Sequence, residues 1–187
     1  TTTANYIYNA SVTFNKAVNL SHADSEGEDL EMFGQKFTIA SATDGVNLVL
    51  LKSAEKLNVD SDTPASEVII GGKTYTVELV SASDTAATIK VTDADGNSES
   101  KEISENASKK VQGITIAVIN ADETNLKLSA SIVAGSEKLT FTDGSSVTRG
   151  ETNTPIDGTY VKFTTNPSDL TKLVVSVVAP NSDSDAV

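Results

Sequence analysis

Two segments of the chain carry one pattern. Residues 29–39 read D-L-E-M-F-G-Q-K-F-T-I, and residues 67–77 read E-V-I-I-G-G-K-T-Y-T-V. Without gaps they agree as acid, aliphatic, any residue, aliphatic, any residue, Gly, two polar residues, aromatic, Thr and a β-branched residue. A short apolar run, a glycine turn and a returning alternating run is the signal of a β-hairpin. A chain that writes it twice is committed to antiparallel sheet. The agreement continues loosely, with Leu51-Lys52 opposite Ile89-Lys90, and "VQGITIAVI" at 111–119 is a fainter echo.

Strand patterns also recur at 30–32, 36–40, 47–51, 67–70, 74–81, 87–92, 98–103, 114–120, 127–133, 137–141, 159–163 and 173–178. Between them stand the turn signals TDG, GG, DADGN, TDGSS and IDG. The best helix candidate, "SENASKKVQG" at 104–113, is short and polar. Val, Ile, Leu and Thr carry most of the apolar load while aromatics make up 5%, a bias that favours strands. The expected fold is therefore all-β: Ig-like β-sandwich modules built from repeated hairpins, with little or no helix.

The organisation expected from this pattern has three parts. Residues 1–20 hold "NYIYNASVTF", a self-contained strand that places Tyr6, Tyr8, Ala10, Val12 and Phe14 on one face. Such a strand either pairs within its own domain or adds to a sheet edge of a neighbouring subunit as an assembly strand. Residues 21–179 form the sandwich domain or domains, entered through an acidic loop from Asp24 to Glu31. Residues 180–187 read as a polar linker or tail. The chain opens "TTTANYIYNA", without Met or a basic leader, as a processed chain or a fragment would.

Charge narrows the partners. A net charge of −12 and a single arginine, Arg149, repel nucleic acid and anionic lipid. No apolar run is long enough to span a membrane. With no cysteine there are no disulfides or thiolate metal sites, and one histidine, His22, leaves no multi-histidine centre.

Gly72-Lys73-Thr74 matches the end of a nucleotide-binding loop, but Glu67 stands where that loop needs its first glycine, and the next residues alternate as a strand. The turn Asp93, Asp95, Asn97 resembles the opening of a calcium loop. It has Ser98 and Ser104 where such a loop needs Gly and Glu, so a hairpin turn is the simpler reading and a weak surface calcium site the other. Asp60 and Asp62, like the acids at 24–31, read as solvated loop charge able to collect cations. No G-x-S-x-G elbow occurs, and His22 has no evident triad partners. Sugar-cleaving carboxylates normally work among aromatics, and Trp is absent. The expectation is no enzyme and no required cofactor, with Ca²⁺ the ion an acidic β surface would accept. Asn9, Asn19 and Asn106 open N-x-[ST] sequons, which mark surface positions if the protein is exported.

Five stretches carry a resemblance: "EDLEMFGQKFTIA", "SEVIIGGKTYTVELVSAS", "SKKVQGITIAVINAD", "IVAGSEKLTFTDGSSV" and "IDGTYVKF". Their order and spacing, over roughly residues 27–179, resemble the β-domains of archaeal surface-layer (S-layer) proteins. The resemblance implies an extracellular structural glycoprotein that self-assembles into a homo-oligomeric lattice or filament through sheet edges, often with divalent cations. The chain is shorter than a usual subunit of that family and shows no membrane anchor. The alternative is a non-catalytic adhesin or carbohydrate-binding β-sandwich module.

Overall fold

The computed structural model describes residues 6–178, and of Tyr6 only the main chain; the polar tail read at 180–187 lies outside the described residues. The strands in chain order are β1 (Tyr6–Val18), β2 (Asp29–Met32), β3 (Gln35–Ile39), β4 (Asn47–Lys52), β5 (Glu55–Asp60), β6 (Ala65–Ile70), β7 (Lys73–Ser83), β8 (Ala86–Asp93) and β9 (Ser98–Ser104). They continue as β10 (Ala107–Val111), β11 (Ile114–Thr124), β12 (Lys127–Gly135), β13 (Glu137–Thr142), β14 (Thr148–Arg149), β15 (Thr154–Pro155), β16 (Thr159–Thr164) and β17 (Leu170–Val178). The helical segments among the described residues are two 3-10 turns, Ala23–Ser25 and Pro167–Asp169. The chain is all-β, as the hairpin pattern requires.

The strands form four antiparallel sheets, ordered β1-β17-β16, β15-β14-β13-β4-β3-β2, β10-β11-β12-β5 and β6-β7-β8-β9. Alternation gives each sheet an apolar face, and the faces meet in pairs. The first two sheets close over Met32, Phe37, Leu48, Leu50, Phe163 and Leu173, making a host sandwich. The other two close over Val77, Ile89, Ile103, Ile116, Val118 and Ile132, making a second sandwich. Each fully buried aliphatic contributes about 1.5–3 kcal/mol. The second sandwich is inserted in the first: β5 to β12 interrupt a host built from β1 to β4 and β13 to β17.

A bent two-stranded ribbon joins them. In the host Glu137 pairs with Lys52, and in the insert Ala134 pairs with Glu55. The bend falls at Ser53, with φ 49°, and at Ser136, whose N–H donates to the Lys52 carbonyl at 2.9 Å. Beside it lies a small separate cluster of Ala40, Val49, Leu51, Ala117 and Val133. Gly135 leaves room for it; a Cβ there would lie 3.1 Å from the Leu51 Cβ.

The repeat is structural. Residues 29–39 and 67–77 are both hairpins, closed by Met32–Gln35 and Ile70–Lys73 around two-residue turns. Phe33 (φ 54°) and Gly34 (71°) form one turn, Gly71 (60°) and Gly72 (80°) the other. The echo at 111–119 is a third hairpin, turning at Gln112 (44°) and Gly113 (85°). Positive φ at both central residues gives the twist that suits paired strands. The looser agreement fails in register, since Leu51 faces Thr38 whereas Ile89 faces Leu79 instead of Thr76.

Three features differ from the sequence reading. The helix candidate at 104–113 is a turn at Asn106 followed by β10, and residues 55–60, not marked as a strand, form β5. Both are edge strands whose charged positions face water and hide the alternation. The N-terminal strand is not self-contained: β1 pairs antiparallel with β17 and adds Val12, Phe14 and Val18 to the host core.

Candidate functional site

The turn at Asp93, Asp95 and Asn97 joins β8 to β9 at the ribbon end of the insert. The Asp93 carboxylate accepts the N–H groups of Asp95 (3.0 Å) and Asn97 (2.9 Å) and the Gln112 side-chain amide (2.8 Å). The Gln112 main-chain N–H donates to Glu99 at 2.7 Å. One glutamine thus ties the β8–β9 turn to the β10–β11 turn across the two sheets. The Gln112 side chain, with Asn97 and the turn amides, holds Asp93 below its ordinary value against slight desolvation. The Gln112 main chain and then Lys101 do the same for Glu99. An open depression of about 680 Å³ lies here, lined by Lys73, Thr74, Tyr75, Asp93, Asp95 and Gln112. Asp93 serves the turn, and Asp95 is exposed. The Gly-Lys-Thr tripeptide spans a hairpin turn and the start of β7, with no helix to face a phosphate.

The other sequence-selected residues are dispersed. His22 is exposed and its Nδ1 accepts the Asp24 N–H at 3.2 Å, capping a 3-10 turn. Asp60 accepts the N–H groups of Asp62 and Thr63, and Asp62 pairs with Lys127 at 3.3 Å. Asn9, Asn19 and Asn106 are all exposed, on β1, after β1 and in the β9–β10 turn.

The strongest interaction feature is β1. It is the edge of its sheet, paired on one side with β17 and on the other with nothing among the described residues. From Tyr6 to Asn15 it holds no charge, no proline and no glycine. Ile7 and Tyr8 are 68% and 62% exposed. The one charge on β1, Lys16, lies near its C-terminal end, beyond this stretch. The other edge strands carry their guards along their paired length: β16 Lys162, β10 Lys109 and Lys110, β5 Glu55 and Lys56, β2 Asp29 and Glu31, β6 Glu67, β9 Glu99 and Glu102, and β15 Pro155. Guards of this kind stop edges from pairing with other chains. Of the assembly strand expected from sequence, Val12 and Phe14 turn half-buried to the core while Tyr8 stays in solvent.

Charge is also segregated. β1, β16 and β17 carry Lys16, Lys162 and Lys172 and no Asp or Glu. At the far end of the insert, the ends of β5 and β11 and the turns that follow β5, β7 and β9 gather Asp60, Asp62, Asp84, Glu105, Asp122 and Glu123, with Lys127 the one cation. Their contacts interlock, since the Glu123 N–H approaches Asp84 at 3.4 Å and the Ser61 N–H donates to the Leu128 carbonyl at 2.9 Å. The tip of the β11–β12 hairpin is a two-residue turn, Asn125 (φ 54°) and Leu126 (64°). Leu126 is 88% exposed. A left-handed conformation costs an L-residue about 1–2 kcal/mol. Sequence reading missed this turn because it lacks glycine, the punctuation that marks the others.

No helix among the described residues is long and apolar enough to cross a membrane. No family model, curated protein or solved structure matches the chain.

Proposed function

We propose that the chain is a structural subunit of a cell surface, self-assembling outside the cell into an S-layer-like lattice or filament, with no catalysis of its own. The observation that carries this reading is the unguarded β1 edge. The ten charge-free residues 6–15 of β1, ahead of Lys16, offer a row of N–H and C=O groups unpaired by any strand among the described residues, for another chain to extend. The strongly acidic surface keeps unassembled copies apart until such contacts form. Exposed sequons fit a glycosylated coat, and the exposed carboxylates suit Ca²⁺ bridging between copies.

Electron microscopy of the purified chain, with calcium and with chelator, tests this. Ordered sheets or fibres are expected. A monomer indifferent to concentration and to calcium would overturn it.

A further inference from the structure

We infer that the tip of the β11–β12 hairpin docks on a second copy of this chain, with Leu126 as its apolar anchor, and seats on that copy's acid-free β1-β17-β16 sheet. The inference rests on the self-assembly reading and gives assembly a direction.

Four two-residue hairpin turns hold positive φ at both positions, and three place glycine second: Gly34, Gly72 and Gly113. The fourth places Leu126, whose side chain is almost wholly in solvent. Within one copy this residue bears strain and gains no burial. Strained, exposed positions of this kind belong with binding sites. A partner that covers Leu126 supplies the missing burial.

Charge selects the partner. Two copies at −12 repel through most of their surfaces. The acidic tip and the acid-free sheet are the pair of opposite character. On the outer face of that sheet Lys172 lies exposed between Thr13 and Thr164, while Lys162, in a row with Val174 and Ser11, is paired with Asp143 at 2.8 Å. Lys172 is therefore the cation that meets the carboxylates of the tip. These positions alternate with the inward Phe163 and Leu173. Because the patches differ, the contact is heterologous: each docked copy still presents a free tip or a free sheet, so growth continues.

Sedimentation velocity and thermal melts on the full chain test the contact, using wild type, Leu126→Gly, Lys172→Glu, Glu123→Lys and the Lys172→Glu/Glu123→Lys double variant. Leu126→Gly creates an Asn-Gly turn, the favoured pair for this geometry. In melts at concentrations where both chains are monomeric it is expected to hold or exceed the wild-type temperature, and at higher concentration to associate about ten- to a hundredfold more weakly, the value of one buried leucine. Each charge reversal weakens association several-fold, and the double variant recovers it. If Leu126→Gly assembles like wild type, or melts lower, the anchor is wrong while self-assembly stands. A double variant no better than the singles overturns the choice of partner surface. A wild-type chain monomeric at all concentrations defeats the self-assembly reading itself.

Discussion

Gln112 shows how much one residue at a turn can organise. Its main chain and side chain serve two carboxylates, Glu99 and Asp93, on the neighbouring hairpin. A carboxyl whose folded-state pKa lies below its unfolded value stabilises the fold above that unfolded value, about 4 for Asp. It loses this contribution as pH falls through the depressed value. Gln112→Gly keeps the positive φ and removes only the side-chain bond. By NMR titration, Asp93 should rise toward its ordinary value while Glu99 stays low; stability near neutral pH should fall, and its loss in acid should become shallower because Asp93 no longer differs between folded and unfolded chains. The Gly-Lys-Thr stretch divides in the same way. Gly72→Val, forcing a β-branched residue to φ 80°, should cost about 1–2 kcal/mol or more in urea melts. Lys73→Met, at an exposed strand position, should stay within about 0.5 kcal/mol.

Among the elements, edge strands divide into guarded and unguarded. The β9–β10 side of the insert is closed by lysines that reach across it: the Lys101 ammonium donates to the Lys110 carbonyl at 2.6 Å and that of Lys109 to the Glu102 carbonyl at 2.7 Å. Among the described residues no such lysine contact covers β1. Ser11→Lys, on an exposed position of β1, supplies a guard without touching the core. The expected result is an unchanged melting temperature with assembly lost; assembly at the wild-type level would exclude β1 as the joining edge. Deleting β1 is a poorer test, because Val12 and Phe14 leave the host core with it.

At the scale of the whole molecule, the question is what makes two sandwiches one body. The ribbon and its small apolar cluster are one tie. Glu151 is another. It accepts from Lys138 of the host at 3.1 Å and from Ser108 of the insert at 3.0 Å, with the lysine side chain only 13% exposed. Glu151→Ala leaves that ammonium half-wrapped without its partner. It should cost about 1–3 kcal/mol in denaturant unfolding. Leu48→Ala in the host core and Ile132→Ala in the insert should each cost about 2–5 kcal/mol.

The local chemistry of the chain was legible in its sequence. Glycine at positive φ and period-2 alternation are short-range requirements, so the hairpins at 29–39 and 67–77, the turn at Asp93 to Asn97 and the all-β class could be read directly. Strands 55–60 and 107–111 could not, because an edge strand buries few side chains and its pattern follows solvent. The insertion of one sandwich in the other was hidden for a different reason. Which β-strands pair across the chain depends on how the apolar faces can be covered together, a property of the closed fold. The same holds for the open edge. Residues 6–15 look like any apolar strand until β17 takes one side of β1 and the other is left unpaired among the described residues. Leu126, ordinary in sequence, becomes exceptional only when the backbone places it at the tip of a turn where its counterparts are glycine.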